Sequence, residues 1–409
     1  MLNRLWLGLF FVGFLTASYQ YLLGDHVDYF TPMVQASFNM AKLAFEISMG
    51  LIGLMCLWLG LFRVAEEAGL IQRLSVLMTP LFRRLMPELP SRHPSYGSVT
   101  MNLAANVLGL DNAATPLGLK AMKDLQSVNA TPHTATNAQI LFLVLNTSSV
   151  TLIPVSIFMY RMQLGSAEPT AVFIPILLAT SASSLAGLIA VSMVQRIKLW
   201  DPVILGYFLA FSLLIGSLVS YLSGLSSNEM QAFSSLLGNF LLMLVVVVFL
   251  WSGVRKQLNV YGVFIEGAKD GFKVGVELIP YLVAMLVAIG VFRASGALDM
   301  LLNSVERCVV FFNGDASFVS ALPTALMKPF SGSGARALML ETMNNYGVDS
   351  FPGVLSALVQ GSTETTFYVL AVYFGVVGIR HPRHAVACAL TADIVGVLCA
   401  IGLGYWYFG

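Results

Sequence analysis

Apolar residues run along this chain in long blocks, and polar residues interrupt them at only a few places. Nine blocks are long enough to cross a hydrocarbon core, which takes about 20 apolar residues with a lower limit near 17. They lie near 4–22, 43–62, 136–160, 171–193, 203–223, 231–252, 275–292, 352–378 and 384–407. Two more apolar stretches, 96–126 and 317–346, are broken mid-way by runs of small and polar residues. The first run is Gly109-Leu110-Asp111-Asn112-Ala113-Ala114-Thr115-Pro116, and the second is Lys328-Pro329-Phe330-Ser331-Gly332-Ser333-Gly334-Ala335-Arg336. Each half-stretch is too short to span, so both read as re-entrant hairpins. Downstream of each run a second polar patch falls inside a crossing block: Asn146-Thr147-Ser148-Ser149, then Ser362-Thr363-Glu364-Thr365-Thr366. Polar, non-helical backbone at membrane depth is tolerated only where protein buries it or where it lines a watery cavity.

Segments 66–86 and 297–312 carry apolar residues at helical spacing with charge on the other face, the pattern of helices lying in the interface. Each follows a crossing block and leads into a hairpin. The order of features (helix, interfacial helix, hairpin, broken helix, helix) therefore occurs twice. Single residues echo it: Leu61-Phe62-Arg63 and Ala68-Gly69-Leu70 against Val291-Phe292-Arg293 and Gly296-Ala297-Leu298. An odd number of crossings separates the two copies, so they face opposite ways. The fold class predicted is an all-α polytopic membrane protein, with about nine transmembrane helices and two re-entrant helical hairpins in two inverted-topology repeats.

Composition agrees. The chain is 57% hydrophobic and 11% charged, with mean hydropathy +0.79, against about 25% charged residues in a soluble domain. A net charge of +1 gives no reason to expect a nucleic-acid partner. The placement of charge says more. With the N-terminus inside and both hairpins re-entrant, most of the 22 Lys and Arg residues fall on the cytoplasmic side, as the positive-inside rule requires. The C-terminus is then outside, the first hairpin enters from the cytoplasm and the second from the opposite face. Residues 1–22 also fit a signal peptide, with Arg4, an apolar core and Thr16-Ala17-Ser18, but the core is long for one. Cys56, Cys308, Cys388 and Cys399 are scattered and read as ordinary packing residues.

The candidate substrate-binding residues sit at the interruptions: Asp111, Asn112 and Thr115 on the first run, and Asn146, Thr147 and Ser148 on the first broken helix. In the second copy they are Ser331, Ser333 and Arg336, then Thr363, Glu364 and Thr365. Half-helix N-termini offer free N–H groups and C-terminal carbonyls coordinate cations, so two broken tips supply both kinds of partner. Among the charged residues, Glu364 is the candidate to accept hydrogen bonds from a solute or to carry a coupling proton. Asp111 would share that role, and Arg336 would meet an anion. The alternative is a structural ion pair such as Asp111–Arg336. Lys328 reads as a residue of the hairpin mouth. Asn102 and Asn106 serve either the cavity or helix–helix contact, and Asp393 pairs with backbone or a hydroxyl such as Thr391. No metal spacing, phosphate loop or nucleophile elbow is present, so neither an enzyme nor a bound cofactor is expected.

The run Gly109–Met122 resembles the hallmark of spore maturation protein A. Pro329–Arg336 and Gly361–Leu370 resemble spore maturation protein B. The chain is similar to a fusion of the two, with 1–200 A-like and 201–409 B-like. Both carry the nucleoside-recognition Gate domain. The resemblance implies re-entrant hairpins paired with unwound helices, elevator-type alternating access and a bacterial cytoplasmic (inner) membrane. The function expected is ion-coupled transport, driven by Na+ or H+, of a small polar or charged solute: nucleoside-like, amino-acid-like or an organic anion. Its site would lie between the two hairpin tips and the two broken helices. A non-transporting sensor or scaffold and a passive channel are the other classes. The partners are the bilayer and the solute, with the apolar helices 203–223 and 231–252 available for a homo-oligomer interface.

Overall fold

A computed structural model describes residues 2–23, 28–90, 93–107, 111–148, 150–312 and 314–409, without the side chains of 2–5, 23 and 111–113. The described residues form α-helices and no β-strand; Thr134 and His381 share one isolated bridge. In chain order the helices are α1 (Leu2–Leu23), α2 (Phe30–Glu67), α3 (Leu70–Leu85), α4 (Ser95–Val107), α5 (Asp111–Gln126) and α6 (Asn137–Thr147). Then come α7 (Val155–Gln163), α8 (Phe173–Gln195), α9 (Pro202–Leu222), α10 (Ser227–Arg255), α11 (Val260–Ala294) and α12 (Ala297–Phe311). The last are α13 (Leu322–Met327), α14 (Gly332–Tyr346), α15 (Phe351–Ser362), α16 (Thr366–Val376) and α17 (Ala385–Phe408). Six of them, α2, α8, α9, α10, α11 and α17, are long and apolar enough to cross a membrane.

Blocks 136–160 and 352–378 each resolve into two short helices, α6/α7 and α15/α16. At the first break the hydroxyls of Thr147 and Ser148 both turn back to the Val144 carbonyl, 2.9 and 2.8 Å, where they compete with main-chain donors. Pro154 then removes a backbone donor just before α7 begins. Blocks 43–62 and 275–292 fall short of α2 and α11, which start at Phe30 and Val260. The charges that ended those blocks do not end a helix. Lys42 and Glu46 pair at 3.7 Å one turn apart on an exposed face, an arrangement a helix accepts readily.

The chain packs as two compact units. The first comprises 1–60, 156–169 and 264–360. Here α2 and α11 run antiparallel: Gly271 lies against the Met55 carbonyl, Gly275 against Ile52 and Gly290 against Met40. Beside them are α1, α12, the pair α13–α14, α7 and most of α15. Ala17, Met33 and Val291 pack together, as do Leu298, Leu302 and Val319.

The second unit comprises 61–155, 170–263 and 361–409. Its densest contact is α8 on α17, also antiparallel, with the Ser183 hydroxyl donating to the Ala392 carbonyl (3.0 Å) and Gln195 meeting His384. Small residues one turn apart, Ser183 and Gly187 on α8 with Ala392 and Gly396 on α17, let the two backbones approach. Thr170 and Ser234 hold α10 to the start of α8. The α4–α5 pair, α3, α6, α9 and α16 complete this unit around a core that includes Phe142, Leu141, Tyr373 and Phe374.

The transition from long helix to amphipathic helix is made the same way twice. Gly69 (φ +81°) and Gly296 (φ +76°) adopt the left-handed conformation immediately before α3 and α12. Only glycine takes that conformation at little cost, which accounts for the recurrence of glycine at this point in both halves.

Candidate functional site

In the second unit, the two helix breaks meet. The amide of Glu364, in the gap between α15 and α16, donates to the carbonyl of Thr147 at the end of α6 (2.8 Å). One orphan carbonyl of a helix C-terminus is thus satisfied by the unwound segment of the other crossing. The Ser184 hydroxyl of α8 reaches the next carbonyl, that of Ser148. Around this junction lie Asn146, Thr147, Ser148, Thr363, Thr365 and Thr366, all buried. Asn146 receives a hydrogen bond from Asn106 (2.8 Å) and donates to the Phe142 carbonyl (2.9 Å). The Thr366 hydroxyl donates to the Asp393 carboxylate (2.7 Å), so Asp393 pairs across helices. Thr391, the hydroxyl suggested by proximity, bonds Ala387 instead.

Two features at the junction remain open. The buried Thr363 hydroxyl has no hydrogen-bond partner among the described residues, and a buried, unsatisfied polar atom costs about 1–3 kcal/mol. Its methyl packs on Gly396, where an added Cβ would lie 2.7 Å away. Next to it the Glu364 side chain is exposed while Thr363 and Thr365 are buried. A neutral donor–acceptor and a carboxylate are therefore presented side by side, on backbone fixed by the Thr147 contact.

The α4–α5 hairpin sits against α6 and α16. Asn102 donates to the Ala114 carbonyl (2.7 Å) and lies 3.5 Å from the Tyr373 hydroxyl. It thereby ties the arms together, and its side-chain oxygen is buried without a partner among the described residues. Gly118 leaves the space that the Tyr373 hydroxyl occupies, and the Tyr373 ring stacks on Phe142 at 5.7 Å. Thr115 is half-buried on α5. Asp111 and Asn112 open that helix, but their side chains lie outside the described residues.

The first unit holds the other hairpin. Ser331 takes an extended conformation and caps α14, its hydroxyl accepting from the Gly334 amide (3.0 Å) and lying 3.2 Å from that of Ser333. Gly334 fits between Met327 and Met285. The Arg336 guanidinium stands over the Tyr160 ring at 5.5 Å, a cation–π geometry.

A model of the Gate domain, described as nucleoside recognition, matches residues 48–164 and 276–380. These two spans make up more than half of the chain. The chain belongs to the Gate family. Spore maturation protein B of Bacillus subtilis (strain 168) is 40% identical over 166 residues, which are 41% of this chain and 92% of that protein. Spore maturation protein A of the same organism is 38% identical over 189 residues, 46% of this chain and 93% of that protein. With its apolar helices, the chain is a membrane protein of this family. The two Gate spans run from within α2 to the loop after α7, and from within α11 to the loop after α16. Each contains one hairpin and one broken helix.

The two Gate spans thus carry the candidate substrate-binding residues singled out in the sequence. Thr147 and Ser148 are bonded within their own helix, because a hydroxyl near a helix C-terminus finds the preceding carbonyls first, while Asn146 bonds both its own helix and Asn106. Lys328 is buried next to the turn between α13 and α14, and so does not sit at an open mouth. Sequence reasoning passed over Glu341 and Arg161. Glu341 is buried on α14 and bound by Arg293 at the end of α11 (3.0 Å). Its sequence signal was a lone carboxylate in the apolar run Leu338-Met339-Leu340.

Arg161, almost fully buried at the end of α7, bonds the carbonyls of Val348, Pro169 and Glu168, the Ser166 hydroxyl and the Asp349 carboxylate (2.8 Å). The loop after one broken helix is thereby fastened to the loop before the other. The second unit repeats the device: Arg383 donates to the Ala135 carbonyl (3.0 Å), and the amides of Arg380 and His381 bond the His133 carbonyl. Burial alone would raise the Asp349 carboxyl. Hydrogen bonds from Ser166 and the Ala167 amide, with the Arg161 charge, outweigh it and hold the group below its ordinary value. A depressed folded value contributes stability that is complete above the unfolded value of about 3.9 and lost as pH falls through the folded one. Melting temperatures of the purified protein should therefore drop more steeply below about pH 4 than those of Asp349→Asn. Equal profiles would show that this contact carries no acid sensitivity. The side chain is 43% exposed, so the effect is modest.

Proposed function

We propose that this protein is an ion-coupled, alternating-access transporter of a small polar or charged solute, in which the paired helix breaks hold the solute. The observation that carries the reading is the Glu364–Thr147 main-chain contact, with the partnerless Thr363 hydroxyl and exposed Glu364 carboxylate beside it. Unwound backbone inside apolar crossings is where such transporters bind solutes and coupling ions. The nucleoside-recognition description of the family makes nucleoside-like solutes the first to test, ahead of amino acids and organic anions. Na+ or H+ is the proposed coupling ion; no resident cofactor and no catalytic step belong to this reading.

The proposed topology has nine crossings and two re-entrant hairpins in inverted repeats, in a bacterial cytoplasmic membrane with the N-terminus inside and the C-terminus outside. Residues 1–200 form the A-like half and 201–409 the B-like half. Antiparallel packing of α2 on α11 and of α8 on α17 supports the inversion. The hairpin arms support re-entry: α4, α5 and α14 have 13, 16 and 15 residues, short of the roughly 20 a crossing takes. The exposed apolar faces of α9 and α10, with Leu209, Leu213, Phe240 and Met243, are available to lipid or to a second copy.

The test is flux into proteoliposomes under imposed Na+ or H+ gradients, with nucleosides, amino acids and organic anions supplied in turn. Glu364→Gln and Thr363→Val should each cut the gradient-driven flux about tenfold or more, the equivalent of losing a hydrogen bond to a charged group at about 1.5–3 kcal/mol. Unchanged flux in both variants would remove the breaks from the solute path. A non-transporting scaffold is favoured by Thr147 and Ser148, whose hydroxyls bond their own helix. It predicts no gradient-driven flux of any solute and no solute-dependent thermal shift.

A further inference from the structure

Two cavities in the second unit share the walls α3 and α8, and one reaches α9 while the other reaches its N-cap. One, of about 350 Å³, is apolar and lined among others by Met78, Leu81, Leu185, Leu188, Phe208 and Phe211. The other, of about 440 Å³, lies further along the same walls and is basic: Arg83, Arg84, Arg196 and Lys198 line it, with Glu88 and Asp201. On α8 the apolar cavity stops at Leu188 and the basic one starts at Gln195. At 1.5 Å per residue that offset is about 10 Å. The progression has one direction along all three, from 78 to 85 on α3, from 181 to 198 along α8 and beyond it, and from 211 on α9 back to its N-cap at 201.

We propose that this groove binds one anionic phospholipid, its headgroup in the basic cavity and an acyl chain in the apolar one. The charge balance favours an anion. Both acids are already engaged, Glu88 by the Ala138 amide (2.5 Å) and Asp201 by the Val203 amide (2.9 Å) and by Arg84 (3.6 Å). Arg196 and Lys198 are exposed and form no ion pair among the described residues. Basic pockets between membrane helices are suited to anionic headgroups. A free phosphate compound would use the basic cavity alone, whereas the apolar cavity in line with it needs a hydrocarbon chain.

The level in the membrane also fits. Trp200, 87% exposed in the α8–α9 loop, is the kind of residue that anchors at the headgroup boundary. α3 is the amphipathic helix predicted for the interface, and the Tyr207 hydroxyl fastens α9 to it at the Leu77 carbonyl (2.5 Å). The bound chain would rest against Leu152, in the first helix break, whose amide bonds the Val107 carbonyl. Lipid occupancy would therefore bear on the segment that interrupts the crossing.

The experiment uses the full chain in detergent, with binding read by native mass spectrometry and thermal shift. Phosphatidylglycerol, phosphatidylcholine with the same chains, and glycerol 3-phosphate are added separately. Phosphatidylglycerol should be retained and raise the melting temperature, and the other two should do neither. Each basic residue near an anionic headgroup contributes about 1 kcal/mol, so Arg196→Ala with Lys198→Ala should weaken phosphatidylglycerol binding about 30-fold. Leu185→Trp, which fills the apolar cavity, should weaken it as well. Melting without added lipid shows that each variant is folded, and Phe211→Trp replaces Leu185→Trp if that one is not. Equal retention of phosphatidylcholine, glycerol 3-phosphate acting as well as the lipid, or an unchanged double variant would each overturn the proposal.

Discussion

Arg161→Met is expected to destabilise the protein by about 3–5 kcal/mol, the cost of removing one partner from a buried, hydrogen-bonded charge site. Methionine matches the aliphatic stem, so little volume is lost. What disappears is the set of donors that satisfies three carbonyls, one hydroxyl and one carboxylate. The carbonyls of Pro169 and Val348 would lose that donor, and each buried, unpaired group costs about 1–3 kcal/mol. Thermal unfolding of the purified protein in detergent measures the loss. Asp349→Asn should cost much less, because that carboxylate is 43% exposed and the single amide oxygen can still accept from one of its two donors, Ser166 or Ala167. If the two variants melted alike, the arginine would be acting through its ion pair alone, and the loop-fastening role assigned to it would be wrong.

The second large effect is expected at Gly396. A Cβ there would lie 2.7 Å from the Thr363 methyl, closer than such atoms approach, and 3.0 Å from the Ser183 Cβ, a tight contact. Gly396→Leu must force α17 away from α8 and press on the second helix break. Overpacking of this kind costs about 1–3 kcal/mol or more, and here it also opens the contact that small residues make possible. Gly402→Leu is the control. It lies on the same helix with nothing within 4 Å of its added Cβ, so it should melt like the parent. The smaller Gly396→Ala should leave more of the stability but still displace Thr363, so solute-dependent shifts should fall further than melting temperature does. Wild-type melting in Gly396→Leu would mean that α8 and α17 are not held by this contact.

Much of this architecture was legible because bilayer chemistry leaves few options. Long apolar blocks must be helical, and polar interruptions inside them must be breaks or turns. That reasoning located the breaks within blocks 136–160 and 352–378, where α6 gives way to α7 and α15 to α16. It did less well where the deciding fact was a partner far away in sequence. The block at 43–62 starts beside Lys42, because the exposed pairing of Lys42 with Glu46 is invisible in a hydropathy count. Asp393 was expected to pair with backbone or with a hydroxyl such as Thr391, and the hydroxyl it meets belongs to Thr366, 27 residues earlier. Arg161 was not singled out in the sequence, yet it is the most buried arginine described and its acceptors include backbone at Val348. Carbonyl acceptors leave no mark in a sequence, since every residue has one. The same limit explains the site residues: Ser148 and Thr363 are alike in type, but only the structure distinguishes a hydroxyl bonded to its own helix from one left open.

The way the two compact units draw on the chain has a consequence for how the molecule is made. The unit containing α3–α6 takes α16 and α17 from the far half of the sequence, and the unit containing α12–α15 takes α1, most of α2 and α7 from the near half. Neither half has the parts to complete a unit by itself. Synthesis of the first 200 residues therefore leaves α6 and α8 packed on each other but without the α17 surface that both will meet, and the nascent protein must keep that face open until the second half is inserted.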